Sequence, residues 1–202
     1  QKDENSVIID TAISLGSHSH PPIIKAEVRW KFGADGVLCV SCKGNVRQNA
    51  PCLPRFGLLF TLPRSFESVR YFGLGNKETY PDRYRSQKFS AYETTVSDLF
   101  EHYVRPQENG NRFATRYAQI SDGKTALFFE RDNGEDFCFS ASHFSHDTLI
   151  NTAHDFELTE ENATYLHVDY KVNAISENGE LDVPENTRIF GEKEFSFGFC
   201  FI

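Results

Sequence analysis

Alternation between hydrophobic and polar residues is the dominant pattern along the chain. Residues 28–32 alternate apolar and charged side chains, and an Ala-Asp-Gly turn at 34–36 leads into a second apolar run. The same arrangement recurs around a Ser-Asp-Gly-Lys turn at 121–124. An Asp-Gly turn between two alternating runs predicts a β-hairpin. From 195 to 201 every second residue is Phe, which predicts a strand with one apolar face.

Three further segments have a strand-like composition, and two short segments interrupt the alternation. The apolar residues between 96 and 104 recur at helical spacing, with Ser97 available as an N-cap, and 145–153 predicts one or two helical turns. The additional strand predictions cover 57–62, 137–144 and 165–172. Because helices do not follow the strands regularly, we expect an all-β antiparallel sandwich with one or two short helices.

The sequence shows no linker, low-complexity segment or internal repeat, so we predict one domain. Residues 26–202 are assigned to the β domain. Residues 1–25 fit no element clearly, and His-Ser-His-Pro-Pro at 18–22 is typical of a loop. We therefore expect an entering arm or loop at 1–25.

The 202 residues carry a formal net charge of -8, which is unevenly distributed. Residues 1–100 contain 13 Lys or Arg against 10 Asp or Glu, whereas residues 101–202 contain 8 against 19. The sequence has no run of basic residues, which argues against binding to nucleic acid or an anionic membrane. No apolar run approaches the ~20 residues that a membrane-spanning helix needs.

Cysteine usage and the start of the chain bear on its compartment. Five cysteines are an odd number for a disulfide framework, so we expect reduced thiols. Residues 1–25 show no signal-peptide pattern. The chain starts at Gln1 and contains no Met, which we interpret as a piece of a longer polypeptide. A cytoplasmic location is expected, with a periplasmic one as the alternative if an upstream signal was removed.

Two groups of residues invite a metal or acid–base interpretation. Cys39 and Cys42 would need two more ligands to hold zinc, and within a strand their side chains point to opposite faces. We favour buried structural cysteines. His143, His146 and His154 form a second candidate cluster, but no carboxylate accompanies them at a telling spacing, and satisfied or exposed histidines are favoured. We therefore assign no catalytic residue and no metal site to this chain.

The stretch from 53 to 85 differs from the rest of the chain because it concentrates polar groups in a constrained loop. Two of its glycines and one of its prolines restrict its backbone, and it carries Glu78, Tyr80, Asp82 and Arg83. One interpretation is a buried clasp between arginine and carboxylate that orders a long connection. The other is a wall that faces a sugar.

Three sequence blocks resemble the C-terminal domain of bacterial β-galactosidases of glycoside hydrolase family 2, which forms a separate small subunit in some lactic-acid bacteria. Pro54–Leu58 matches Pro-Arg-x-Gly-Leu, and Gly73–Arg83 matches Gly-Leu-Gly-x-x-Glu-x-Tyr-Pro-Asp-Arg. Tyr103–Gly110 matches Tyr-Val-x-Pro-x-Glu-Asn-Gly, and Thr-Arg follows at 115–116. With weaker likeness beyond these blocks, the resemblance covers roughly residues 28–175.

The resemblance implies an antiparallel supersandwich of the galactose mutarotase-like type and a parent enzyme that hydrolyses terminal β-galactosides with retention. It places the catalytic glutamates and the magnesium and sodium sites elsewhere in the parent, so it implies no cofactor in this chain. The implied partners are the remaining domains or the large subunit of an oligomeric parent and its β-galactoside substrate. The candidate substrate contacts are Glu78, Tyr80, Asp82, Arg83 and Asn109.

The chain departs from the family pattern in two respects. The family domain has further N-terminal strands, and it carries a Trp that stacks on the sugar at a position that falls at or near Leu181 in this chain. The leading hypothesis is a non-catalytic domain that shapes the active-site pocket of the parent and supports assembly. The alternatives are an autonomous carbohydrate-binding domain and a stand-alone aldose epimerase in which one of the three histidines above serves as the acid.

Overall fold

Residues 5–48, 53–175 and 194–202 are described by this computed structural model, and they form twelve strands and two short helices. The helices are α1 (Val96–Leu99) and α2 (His146–Asn151), and a single 3-10 turn covers Asp155–Glu157. The all-β architecture with two short helices is confirmed. The strands are β1 (Ser6–Leu15), β2 (Ile24–Gly33), β3 (Leu38–Val46), β4 (Arg55–Pro63), β5 (Ser68–Gly75), β6 (Lys88–Thr95), β7 (Arg112–Thr115), β8 (Tyr117–Ser121), β9 (Ala126–Arg131), β10 (Phe137–Ser142), β11 (Ala163–Val172) and β12 (Glu194–Phe201).

The strands belong to two antiparallel sheets. The larger sheet has eight strands in the order β1-β2-β3-β12-β9-β8-β5-β6, and the smaller has four in the order β4-β11-β10-β7. The last strand, β12, lies between β3 and β9 in the interior of the large sheet. Pairing between elements so distant in sequence means that the fold depends on long-range contacts.

The core lies between the two sheets and is rich in aromatic side chains. The alternate phenylalanines of β12, from 195 to 201, are all buried, as the Phe pattern predicted. Phe56 of the small sheet meets Phe195 with ring centroids 4.8 Å apart, and Phe60 meets Phe201 at 4.9 Å. Each fully buried ring contributes about 1.5–3 kcal/mol, so this contact between the sheets is a main source of stability.

Both predicted hairpins are present. In the first, Phe32 of β2 pairs with Leu38 of β3, and Gly36 in the connecting turn has a φ of 89°. In the second, β8 and β9 are joined through Gly123, whose φ is 84°. Glycine adopts these positive φ values without the steric cost that a side chain would impose, so the turn chemistry fixes both hairpins.

The described part of the first 25 residues differs from the predicted arm or loop. Ser6–Leu15 is strand β1, which pairs with β2 along its whole length, and only residues 16–23 form the connecting loop. Consecutive apolar residues in Val-Ile-Ile at 7–9 obscured the alternation that would have marked a strand. The arm is therefore an element of the large sheet.

The first helix is shorter than its apolar spacing predicted. It starts after Thr95, whose hydroxyl accepts a hydrogen bond from the Asp98 backbone N–H at 3.0 Å, so Thr95 rather than Ser97 is the N-cap. The backbone at Phe100 is extended, which ends the helix. The second helix agrees with its prediction, with Ser145 as N-cap. None of the described helices is long and apolar enough to cross a bilayer.

The expectation of reduced thiols is wrong for two of the five cysteines. Cys39 of β3 and Cys200 of β12 lie directly opposite each other and form a disulfide. Their separation of 161 residues hid this pairing from the sequence. Cys42 is free and buried, as predicted for a structural cysteine, and Cys138 is also free and buried. Cys52 lies outside the described residues.

Candidate functional site

The loop that follows β5 is tied to the loop that precedes β7 by a buried carboxylate. Glu78 accepts hydrogen bonds from Arg83 Nη1 at 2.7 Å, from the Tyr103 hydroxyl, and from the Gly110 backbone N–H at 3.0 Å. The Glu78 side chain is only 6% exposed. We call these four residues the loop clasp. Because three donors surround one buried carboxylate, the clasp is a satisfied polar network rather than an isolated buried charge.

Backbone hydrogen bonds reinforce the same junction. The Thr79 N–H donates to the Asn111 carbonyl at 2.8 Å, and the Asn111 side-chain amide donates to the Thr79 carbonyl at 2.8 Å. The Thr79 hydroxyl also accepts a hydrogen bond from the Phe113 N–H at 2.8 Å. The two loops are therefore joined along several residues, and their relative position is fixed.

The side chain of Arg112 is almost fully buried and stabilises the same junction between the two loops. Its guanidinium donates to the Gly110 carbonyl at 2.9 Å, the Asn76 carbonyl at 3.2 Å and the Tyr71 hydroxyl at 3.2 Å. A planar group with five donors can satisfy several backbone carbonyls at once, which lets irregular loop backbone be buried.

A second arginine joins the small sheet to the 100–111 loop. Arg55, the first residue of β4, lies 2.7 Å from Asp169 Oδ2 on β11 and 2.8 Å from Glu108 Oε2 in the loop. It also contacts the Ser140 hydroxyl at 3.4 Å. We call the set Arg55, Glu108, Ser140, His146, His167 and Asp169 the Arg55 cluster. It lies on the face of the small sheet opposite the core, because Leu166 and Val168, which alternate with His167 and Asp169, are buried in the core.

Gly57 makes room for the buried carboxylate of the Arg55 cluster. It pairs with Asp169 across β4 and β11, and a Cβ on Gly57 would lie 2.4 Å from both Asp169 Cα and Oδ1. Any side chain at position 57 would push Asp169 away. The Pro-Arg-x-Gly pattern therefore supplies both Arg55 and, through Gly57, the space that its partner Asp169 occupies.

Several ionisable groups of the Arg55 cluster have pKa values that are shifted from their usual range. Burial raises the pKa of Asp169 to about 6, and the neighbouring Arg55 opposes that rise. Burial also acts to raise the pKa of Glu108, but His146 and Arg55 outweigh it and keep the pKa below its usual range. Burial and Arg55 lower the pKa of His167 to about 3. At neutral pH both carboxylates are therefore ionised and His167 is neutral.

The histidines that formed one candidate cluster in the sequence lie at three different places. His146 Nε2 is 3.4 Å from Glu108 Oε2, and the hydrogen bond to Glu108 raises the pKa of His146. His143 is buried, with Nε2 2.5 Å from a Glu67 carboxylate oxygen. His154 is exposed and stacks on Phe156. Only His146 joins the Arg55 cluster.

The predicted site residues lie at the junction between these two loops, and several of their side chains form hydrogen bonds within the chain. Glu78 and Arg83 belong to the loop clasp. Tyr80 is fully buried, and its hydroxyl has no hydrogen-bond partner within the described part of the chain. The exposed Asp82 accepts from the Ile175 N–H at 3.3 Å, and Asn109 Oδ1 accepts from the Glu101 N–H at 3.0 Å. Their contact with substrate stays a prediction, and Leu181 lies outside the described residues.

Apart from His146, sequence reasoning did not select the residues of the Arg55 cluster. Arg55 and Glu108 are fixed positions of two of the matched blocks, and that signal could have singled them out. Asp169 and His167 carried no comparable signal, since Asp169 is 114 residues from Arg55. The described residues contain no group of three or more His, Cys, Asp or Glu side chains placed to hold a metal ion.

Comparison with known proteins assigns the chain to a family. A family model described as "Beta galactosidase small chain" matches residues 1–201. A β-galactosidase of Staphylococcus xylosus is 34% identical over 203 residues, covering 100% of this chain and 20% of that protein. A β-galactosidase of Lactobacillus delbrueckii subsp. bulgaricus is 36% identical over 158 residues, covering 77% of this chain and 15% of that protein.

The chain belongs to the β-galactosidase small-chain family, as the three sequence blocks predicted. It spans between 15% and 20% of the length of these curated β-galactosidases that it matches. Among solved structures, a protein from Escherichia coli K12 described as a candidate aldose 1-epimerase matches 100% of this chain and 66% of its own. The TM-score of this match is 0.46, with 13% sequence identity.

Proposed function

We propose that this chain is the non-catalytic C-terminal domain of a β-galactosidase-like glycoside hydrolase, where it shapes the active-site pocket and supports assembly. The family match and the small share of the relatives' length support this proposal. The substrate of the parent would be a terminal β-galactoside, and its catalytic glutamates and any magnesium or sodium ions would be held by other parts of the parent.

One observation carries the non-catalytic part of the proposal: the carboxylates at the loop junction are committed to contacts within the chain. Glycoside cleavage needs two carboxyl groups that both reach the glycosidic bond. Glu108 and Asp169 bind the same guanidinium, and the Asp169 side chain is only 2% exposed, so it has no access to a substrate. The Glu78 carboxylate is similarly enclosed by the other residues of the loop clasp. These groups fit a role in holding loops in position.

Exposed apolar side chains on the first two strands support a role in assembly. Val7, Ile9 and Leu15 of β1 and Phe32 of β2 are each more than a third exposed. Val7 pairs with Phe32, so these two apolar side chains adjoin. An apolar surface of this kind is typical of a contact with another protein surface. The partner that we propose is the remaining polypeptide of the parent hydrolase.

An activity assay with a chromogenic β-galactoside tests the non-catalytic role. The 202-residue chain should give no turnover above a blank, whereas the full-length parent polypeptide should hydrolyse the substrate. Turnover by the chain alone would overturn the non-catalytic role, and an inactive full-length parent would overturn the proposed substrate.

The assembly role is tested by mixing this chain with a parent polypeptide from which these residues have been removed. We expect the two to associate and the hydrolase activity to rise. An Ile9→Asp variant should associate more weakly because it places a charge in the apolar contact, whereas Glu93→Gln on β6 should not. Equal association by both variants would contradict the proposed surface.

A further inference from the structure

Three buried polar atoms at the junction between the two loops have no hydrogen-bond partner among the described residues. They are the Tyr80 hydroxyl, Glu108 Oε1 and Asn111 Oδ1. Tyr80 and Asn111 are completely buried, and the Glu108 Oε1 atom is inaccessible although part of that side chain reaches the surface. Bulk solvent therefore cannot serve these atoms. Because an unsatisfied buried polar atom costs free energy, proteins leave few of them without a protein or water partner.

Tyr80 and Glu108 are held at neighbouring positions of the small sheet. Tyr80 belongs to a small buried cluster that includes Cys138 of β10. Glu108 and Asp169 of β11 bind the same Arg55 guanidinium. Cys138 and Asp169 are directly paired across β10 and β11, so their side chains share one face of the sheet. The two side chains that carry atoms without partners are therefore anchored at adjacent residues.

The Glu108 carboxylate also acts on the Tyr80 hydroxyl through its charge. Burial, Glu108 and then Glu78 raise the pKa of Tyr80, so the phenol is protonated at neutral pH. A protonated phenol can donate one hydrogen bond and accept another, whereas Glu108 Oε1 only accepts. The Asn111 amide oxygen is a further acceptor beside Tyr80, since the same amide donates to the carbonyl of Thr79. A group that completes this set must both accept and donate hydrogen bonds.

The charges around these atoms favour a neutral group over an ion. The Glu108 carboxylate is already compensated by Arg55 at 2.8 Å and by His146 at 3.4 Å, so it does not require a second cation. An anion would be repelled by Glu108 and by Glu78. Water is neutral, donates and accepts hydrogen bonds, and typically makes about three of them when it is buried among otherwise unsatisfied polar groups.

We propose that the junction between the two loops holds an ordered internal water molecule. This water accepts a hydrogen bond from the Tyr80 hydroxyl and donates one to Glu108 Oε1. Tyr80 lies between Glu78 and Arg83 of the loop clasp in the sequence, and Glu108 belongs to the Arg55 cluster. The water therefore joins the two polar networks into one. This inference goes beyond the proposed role in a parent hydrolase and does not depend on it.

The experiment is magnetic relaxation dispersion of the water nuclei, which counts internal water molecules that stay bound for longer than the protein takes to tumble. In a solution of the folded 202-residue chain, Tyr80→Phe should lower this count by about one, because the water loses the hydroxyl that holds it. Tyr92→Phe is the matched control, since the Tyr92 hydroxyl donates to the Lys88 carbonyl at an exposed position. The control should leave the count unchanged, and an unchanged count for Tyr80→Phe would overturn the proposal.

A crystal structure of the unmodified chain locates the water independently. We expect a solvent peak within about 3.2 Å of both the Tyr80 hydroxyl and Glu108 Oε1. A crystal soaked in rubidium chloride distinguishes water from a monovalent cation, because rubidium at this position would give an anomalous signal. If Tyr80→Phe does not fold, the crystal structure alone decides the question.

Two crystallographic results would contradict the inference. The first is a direct hydrogen bond between the Tyr80 hydroxyl and Glu108 with no solvent peak between them. The second is a rubidium signal at the solvent peak, which would identify a cation site. None of these results bears on whether the chain shapes the pocket of a parent hydrolase.

Discussion

The Glu78 carboxylate and the Arg83 guanidinium lie 2.7 Å apart, and the carboxylate is nearly buried while the guanidinium is a third exposed. Tyr103 and Gly110 complete the set of donors around Glu78. The carboxylate therefore links its own loop to a second loop more than twenty residues away. These contacts form the clasp that was one interpretation of the 53–85 stretch, and contact of this stretch with a sugar stays a prediction.

Glu78→Gln should lower the free energy of unfolding by about 1–3 kcal/mol, because the amide cannot accept from all three donors and leaves a buried group unsatisfied. The measurement is urea denaturation followed by circular dichroism. Glu93→Gln is the matched control, since Glu93 pairs with Arg70 on the surface and should change stability by less than about 1 kcal/mol. Equal effects of the two substitutions would contradict the clasp.

Gly57→Ala should destabilise the chain by about 1–3 kcal/mol because the new methyl group overlaps Asp169. The displacement would also separate Asp169 from Arg55. Thr61→Ala, an exposed position on the same strand, is the control and should have little effect. Thermal unfolding of the two variants compares them, and an unchanged midpoint for Gly57→Ala would show that the strands can move apart without cost.

The Cys39–Cys200 disulfide should stabilise the chain by about 2–4 kcal/mol, because it restricts the unfolded chain across a long loop. The double variant Cys39→Ser, Cys200→Ser should lose this amount, and the chain treated with a reductant should match it. A peptide map without reductant should show the two cysteines linked. Alkylation of both cysteines without prior reduction would refute the assignment.

The two buried free cysteines should react slowly with alkylating reagents in the native state. Burial raises the pKa of Cys42 to about 11 and that of Cys138 to about 12, so the reactive thiolate is scarce at neutral pH. Mass spectrometry of the natively alkylated chain checks this expectation. Labelling as fast as in denaturant would mean that these strands open readily.

Glu161 should make the stability depend on pH in the acid range. Burial acts to raise its pKa, but hydrogen bonds from Thr148, Tyr165 and Ser145 outweigh burial and lower the pKa from 4.5 to about 2. A carboxyl group with a lowered pKa stabilises the fold above its unfolded value, so this stability should be lost as the pH falls from about 4.5 towards 2.

Glu161→Gln should remove part of that acid dependence when unfolding free energies are measured across the same pH range. Glu160→Gln is the adjacent control, since its carboxylate lies in an exposed ion pair with Arg64. If both variants follow the unmodified chain at every pH, the hydrogen bonds to Glu161 do not stabilise the native state.

Local patterns predicted those parts of the fold that local interactions determine. The Asp-Gly turns at 34–36 and 121–124 specified two hairpins, and the alternate Phe residues from 195 to 201 specified a buried strand face. Strand β1 was not predicted, because Val-Ile-Ile at 7–9 places apolar side chains on both faces of the strand. The helix predicted at 96–104 ends at Leu99, since the spacing of apolar residues does not indicate where the backbone becomes extended.

The candidate site was predicted less completely than the fold, since its residues meet only through long-range strand pairing. Glu78 and Arg83 are five residues apart, so a clasp between them could be anticipated. Asp169 reaches Arg55 because β11 pairs with β4, and no spacing in the sequence reports that register. The Cys39–Cys200 bond depends in the same way on β12 lying beside β3.

That bond also governs how the chain behaves towards proteases. Cys39 and Cys200 enclose most of the polypeptide, so a single peptide-bond cleavage anywhere between them leaves both fragments covalently joined. A nicked chain would migrate as an intact species on a denaturing gel until a thiol reagent separates its halves, and it would have its two cut ends tethered within one molecule.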